Sequence, residues 1–213
     1  MPTPTEKLAR ARSDLRLGLG VVLGNRLLVV AVEALSPARL ADLAALGPMD
    51  LALTARRAET LKARAYDGDL ARIVVPKDAD LRWLMAVADP ADDLRVPMKG
   101  PLHSRRDGDA ALHRAALTLT KSAQLLPAVV AVALTDGKTF AETHSLTQLS
   151  GGELNDLDRL APLSPVISAR LPMAASAAGR VHIFRPDDGS AEHYAIEIGR
   201  PDRAAPVLAR LHS

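Results

Sequence analysis

Cysteine is absent from the 213 residues. Its absence excludes disulfides, thiolate metal ligands and a cysteine nucleophile within them, and it fits a cytosolic protein. Aromatic residues make up only 2% of the chain: Tyr66, Trp83, Phe140, Phe184 and Tyr194. Base stacking on a series of aromatic platforms is excluded by that scarcity. Charge of one sign is also lacking, since 27 Lys+Arg face 25 Asp+Glu for a net +2. With both signs interspersed there is no basic footprint for nucleic acid, and the pI of 9.1 reflects how far one or two charges move a near-neutral chain. No long apolar run exists. The longest, Leu125 to Leu134, has ten residues and contains Pro127, against the about 20 that a membrane-spanning helix needs. Glu6, Arg10, Arg12 and Asp14 precede any apolar run, the wrong pattern for a signal peptide. The expectation is a cytoplasmic protein without a membrane or nucleic-acid partner.

What is present is ordinary globular material, 48% hydrophobic and 24% charged, enough for a core. Residues 5–17 have helical periodicity with Thr5 as N-cap, stopped by Gly18 and Gly20. Val21–Leu23 and Leu27–Val32 flank Gly24-Asn25-Arg26 and predict a hairpin of buried strands. Ser36-Pro37 opens a helix to about Leu46, closed by Gly47-Pro48. A strand at Leu51–Leu53, a helix from Thr54 to about Arg64, a strand at Ile73–Val75 and a helix over Asp78–Val87 follow. Residues 88–108, with three prolines and several charges, are expected to form a long loop. A helix over Asp109–Leu125 then leads to an apolar strand at Ala128–Leu134.

Beyond about residue 165 the pattern changes to short strands without helices, at Val166–Leu171, Arg180–Phe184, His193–Ile198 and Val207–Leu211, with a turn at Asp187-Asp188-Gly189. Ser150-Gly151-Gly152 marks the boundary region, placed at 150–165. The fold class expected is α+β: an α/β layered domain with a mixed sheet over 1–150, followed by a short antiparallel β segment over 165–213.

Local motifs carry little chemistry. Gly18-x-Gly20-x-x-x-Gly24 has the look of a dinucleotide loop, yet it follows a helix and precedes a strand. Phosphate cradling needs the reverse order, so a helix stop and hairpin are expected. Asp89, Asp92 and Asp93 could ligate Mg²⁺ or stand as solvated loop charges. The six histidines His103, His113, His144, His182, His193 and His212 are scattered without metal-ligand spacing, and read as surface or hydrogen-bonded side chains.

The tail carries more. Ala169-Arg-Leu-Pro, Gly179-Arg-Val-His-Ile-Phe, Glu192-His-Tyr-Ala-Ile-Glu-Ile-Gly199 and Pro206-Val-Leu-Ala-Arg-Leu-His-Ser213 follow one another over about 45 residues. In order and spacing the series resembles the opening of GTP cyclohydrolase II, a family with "KLPT…G.F", "HVALV.G" and "VLVRVHSECLTGD" in succession. Upstream, the run from Asp89 to Pro101 and the helix and strand after it are similar to an N-terminal extension of alphaproteobacterial-type members. That extension resembles a degenerate dihydroxybutanone phosphate synthase domain, the partner activity in riboflavin synthesis.

The resemblance implies specific roles. The synthase's His-Thr-Glu triplet is replaced around Asp109-Ala110-Ala111, and its acidic "RENEGDL" strand by Gly20–Leu28, which holds no carboxylate. Its enolisation needs carboxylates and a divalent metal, so residues 1–150 are expected to be non-catalytic. In the cyclohydrolase family three cysteines beyond the His-Ser pair hold the zinc that activates water. The sequence stops at Ser213, one residue short of the expected Glu and two short of the first of those cysteines. The resemblance therefore implies a truncated cyclohydrolase domain with no zinc or other cofactor in this chain, and no catalytic or metal-ligating residue. Arg210, Leu211, His212 and Ser213 match the family's Arg-Val-His-Ser and imply GTP contacts, Arg210 through charge-assisted bonds to phosphate. GTP is the expected ligand of the complete protein only. A homo-oligomer or a complete cyclohydrolase is the expected macromolecular partner, and a non-enzymatic accessory module is the alternative to an inactive enzyme fragment.

Overall fold

The computed structural model describes residues 2–157 and 161–211. It divides into two compact units, 1–159 and 160–213. In the first, helix α1 (Pro4–Arg16) begins at Thr3 rather than Thr5, because Thr3 and Glu6 cap each other reciprocally and Pro4 takes the first helical position. Gly18, at φ +72, turns the chain so close to the Ala34 carbonyl that an added Cβ would lie 2.2 Å from its oxygen. The expected hairpin follows, β1 (Val21–Leu23) against β2 (Leu27–Ala31). Ser36 caps α2 (Pro37–Leu46), and β3 (Met49–Thr54) passes into α3 (Ala55–Thr60), capped by Thr54. This helix ends four residues short of Arg64, where Lys62 adopts φ 57. Strand β4 (Leu70–Val74) begins earlier than expected, and α4 (Leu81–Ala88) begins later, at the Asp80 cap. Helix α5 (Ala111–Ser122) is shorter than expected at both ends: Asp109 receives the Ala111 N–H, and Gln124 turns to φ 61. Strand β5 (Ala128–Ala133), α6 (Gly137–Thr143), β6 (Thr147–Leu149) and α7 (Gly151–Asn155) complete the unit.

The six strands form one mixed sheet in the order β4-β3-β5-β2-β1-β6. Only the β1–β6 pairing is parallel. Both faces are covered, which is why β1, β2 and β5 are apolar at nearly every position rather than alternating. Val22, Val30, Leu51 and Val130 point to the side packed by α2 and α4 through Leu43, Leu84 and Val87. Val21, Val29, Ala52 and Val129 point to the opposite side, packed by α1 and α5 through Leu8, Leu15 and Leu119. The result is an α/β layered arrangement.

The ends of this unit are tied together by charge. Lys7 of α1 donates to Glu153 of α7 at 2.7 Å, and Glu153 also accepts from the backbone N–H and hydroxyl of Ser150. The Lys7 ammonium and the Ser150 donors lower the Glu153 carboxyl from 4.5 to about 2. A carboxylate whose folded pKa is depressed stabilises the fold fully above its unfolded value and loses that contribution as pH falls through the folded one. Unfolding free energy is thus expected to fall between about pH 4.5 and about pH 2 through this group. Glu153→Gln should flatten that part of the acid limb in urea titrations, while unchanged curves would remove Glu153 from the account.

The second unit contains three antiparallel strands, β7 (Leu163–Arg170), β8 (Arg180–Pro186) and β9 (His193–Glu197), in that order. The expected strand at Val207–Leu211 is not formed: Val207, Leu208 and Leu211 are exposed, and the segment has no ladder partner among the described residues. A run of apolar residues becomes a strand only where another strand supplies its hydrogen bonds. Among the described residues no helix is long and apolar enough to cross a membrane.

Candidate functional site

The densest polar grouping lies where β3 and β4 meet the N-terminal end of α5. Asp50 sits on β3 two positions before Ala52, on the same face, the one that α5 covers, and Arg72 lies directly opposite Ala52 on β4. Residues 103–105 run beside β4, with the Val74 N–H donating to the His103 carbonyl and the Arg105 N–H to the Arg72 carbonyl. This places three carboxylates and three guanidinium groups together. Arg105 donates to both oxygens of Asp50 at 2.9 and 2.7 Å, Arg72 to both of Asp67 at 2.8 and 2.9 Å, and Arg114 to both of Asp69 at 2.6 and 2.7 Å. Arg72 is only 2% exposed and also donates to the Gly108 carbonyl. Arg106 stacks over Tyr66 at 4.9 Å, fixing the outer rim.

His113 of α5 faces this grouping. It is buried, its Nε2 lies 3.8 Å from Asp50, and neither ring nitrogen has a hydrogen-bond partner. Burial pushes its pKa down against the pull of Asp50, which keeps the imidazole neutral. The expectation of a surface or satisfied histidine fails here. The signal was weak, since only the helical register of α5 places it inward.

The chemistry open to this arrangement is narrow. Each oxygen of these three carboxylates already accepts from a guanidinium, which leaves fewer of its lone pairs for a proton or a cation. Among the described residues no group of three or more His, Asp and Glu side chains is placed to hold a metal ion. The segment Gly108–Ala111 supplies the Gly108 carbonyl to Arg72 and the Asp109 carboxylate to the Ala111 N–H. Both contacts are structural.

The other candidates are dispersed. Asp89 receives the Ala91 N–H, and Asp93 is bound by Arg57 at 2.6 and 2.8 Å and by Lys99. These two cations hold the Asp93 carboxyl well below the usual carboxylate range, so it is an ion-pair hub rather than a solvated loop charge. The side chain of Asp92 lies outside the described residues. Gly18 and Gly24, at φ +72 and +59, are turn glycines, and Gly20 packs against Leu28. His144 stacks on Phe140 with ring centroids 4.3 Å apart, and His182 bonds Glu197 at 3.1 Å. His103 and His193 are exposed. Arg210 and Leu211 are exposed and outside any regular element, and His212 and Ser213 lie outside the described residues.

No protein-family model matches the chain. The chain is 32% identical over 190 residues to a GTP cyclohydrolase-2 from Azospirillum brasilense. The match takes in 86% of this chain and 49% of the relative, so the chain spans about half the length of the curated protein it matches.

Proposed function

We propose that these residues form the N-terminal portion of a GTP cyclohydrolase II-type protein of riboflavin biosynthesis, and that by themselves they carry no catalysis. In this reading residues 1–150 are a dihydroxybutanone phosphate synthase-like domain that serves stability or assembly. The observation that carries it is the locking of Asp50, Asp67 and Asp69, each in a bidentate arginine pair, where enolisation of a sugar phosphate would require a free base and a metal. The residues present do not fit the family's zinc either, because the 213 residues contain no cysteine to ligate it. Residues 165–213 would contribute the first strands of the cyclohydrolase domain, with Arg210, Leu211, His212 and Ser213 against GTP in the complete protein.

Two assays on the purified 213-residue chain test the reading. Formate release from GTP with zinc supplied is expected to stay at the no-protein level, as is turnover of ribulose 5-phosphate with Mg²⁺. Enzymatic formate release would overturn the assignment of the cyclohydrolase chemistry to residues elsewhere.

One observation favours the second reading, an accessory module that pairs with a complete cyclohydrolase. Ile167, Ile183 and Tyr194 stand opposite one another across β7, β8 and β9, as do Ala169, Val181 and Ile196. Ile167, Tyr194 and Ile196 are 61%, 64% and 60% exposed, so this sheet presents an apolar face. Failure to co-purify with a complete cyclohydrolase, or to change its rate, would remove that reading.

A further inference from the structure

His113 lies in the first turn of α5, where the free N–H groups of the helix oppose a positive charge, and both of its ring nitrogens are buried without a hydrogen-bond partner. Yet its Nε2 is 3.8 Å from Asp50 Oδ2, the same oxygen that accepts from Arg105 Nε at 2.9 Å. One carboxylate oxygen thus has two cationic partners within reach, and in this arrangement only the guanidinium holds it. The other charges facing the ring are Arg72 of β4 and Asp67 just before it, which are bound to each other. Next to His113 on its own helix, Arg114 is paired with Asp69. The remaining elements against α5 add no charge near the ring. Strands β1, β2 and β5 are apolar, and Arg12 and Arg16 of α1 reach Ser122 and the Ala123 carbonyl at the far end of the helix.

Arg105 does more than neutralise Asp50. Residues 103–105 run antiparallel along β4, held by the Arg105 N–H on the Arg72 carbonyl at 2.7 Å and the Val74 N–H on the His103 carbonyl at 2.8 Å. The Arg105–Asp50 pair pins this short strap across β4 to β3. We propose that His113 is a proton-operated latch: once protonated, its imidazolium takes Asp50 from Arg105 and frees residues 103–105 from the edge of β4. The ring gains one proton from solvent, Asp50 stays ionised, and the partly exposed guanidinium of Arg105 turns into water, where it remains charged. Burial disfavours the imidazolium in the closed arrangement, whereas the opened one admits it. Acidification below the ordinary histidine value of 6.5 therefore favours opening. Each pH unit in that range shifts the ratio of opened to closed chains by up to about tenfold. The inference stands apart from the family reading, because it requires no ligand and no turnover.

Amide hydrogen exchange of the whole chain at about pH 7 and about pH 5.5 tests it. With the intrinsic pH dependence of exchange removed, protection of the Arg105 and Val74 amides is expected to fall about tenfold at the lower pH. Protection of Val130, in the middle of the sheet, should not change. This window lies above the one in which Glu153 titrates, so the two effects separate. His113→Phe keeps an aromatic ring of similar bulk without the titrating nitrogens and should abolish the loss. A second readout stands even if that variant does not fold. In Arg105→Gln the competing cation is gone, and the midpoint of the His113 ring, followed by NMR, should rise because Asp50 then answers to the imidazole alone. A purely structural His113 would leave that midpoint where it is. Equal protection at the two pH values, a loss that persists in His113→Phe, or an unmoved midpoint in Arg105→Gln would overturn the proposal.

Discussion

Arg72→Met is expected to lower the unfolding free energy by about 3–5 kcal/mol, the usual cost of removing one partner from a buried ion pair. Its guanidinium is 2% exposed and holds Asp67, itself 13% exposed, by both oxygens. Methionine fills the aliphatic space but leaves the Asp67 carboxylate and the Gly108 carbonyl without their donor. For a chain of this size the loss corresponds to roughly 6–20 °C in Tm. Adding Asp67→Asn to the Arg72→Met chain should recover part of that loss, since a neutral amide costs less to bury than an unpaired charge. Urea unfolding of both variants checks this. A change below about 1 kcal/mol in the single variant would show that Arg72 is not the keystone of the grouping.

Arg57→Met is expected to have an effect of similar size, about 3–5 kcal/mol, with a different local signature. Arg57 is 9% exposed and donates to the carbonyls of Ala86, Val87 and Asp89, where α4 ends, as well as to Asp93. It therefore closes the helix C-terminus and anchors the start of the 93–100 loop in one contact set. Loss of the anchor should free that loop before global unfolding. Limited trypsin digestion is expected to cut faster at Arg95 and Lys99 in the variant, at temperatures where the rest of the chain stays protected. Cleavage at the wild-type rate would contradict the anchoring role.

The layered fold was legible because its signals are local. Gly24-Asn25-Arg26 between two apolar runs gives the β1–β2 hairpin, and Ser36-Pro37 starts α2 where expected. The terminal elements of the first unit were not legible. Helix α6 depends on Gly137 sitting against Asn25, where an added Cβ would meet the backbone at 2.8 Å. Strand β6 exists only through parallel pairing with β1, more than a hundred residues earlier. The converse error is Val207–Leu211, where strand-like composition finds no ladder partner among the described residues. The candidate site was legible only as missing chemistry: the sequence lacks a His-Thr-Glu at 109–111. It did not reveal how the remaining carboxylates are used. Asp50 meets Arg105 across 55 positions and Asp69 meets Arg114 across 45, and only the folded sheet sets such pairs side by side.

On the proposed reading, the first unit is a synthase-like scaffold in which Asp50, Asp67 and Asp69 are each held by an arginine. Turnover of ribulose 5-phosphate by the purified chain with saturating Mg²⁺, followed by product formation, tests it most directly. The account predicts no product above a no-protein control, because Asp50, Asp67 and Asp69 are each engaged through both oxygens. Sustained Mg²⁺-dependent product formation that is lost in Asp50→Asn would show that this grouping is a working active site, and would contradict the account.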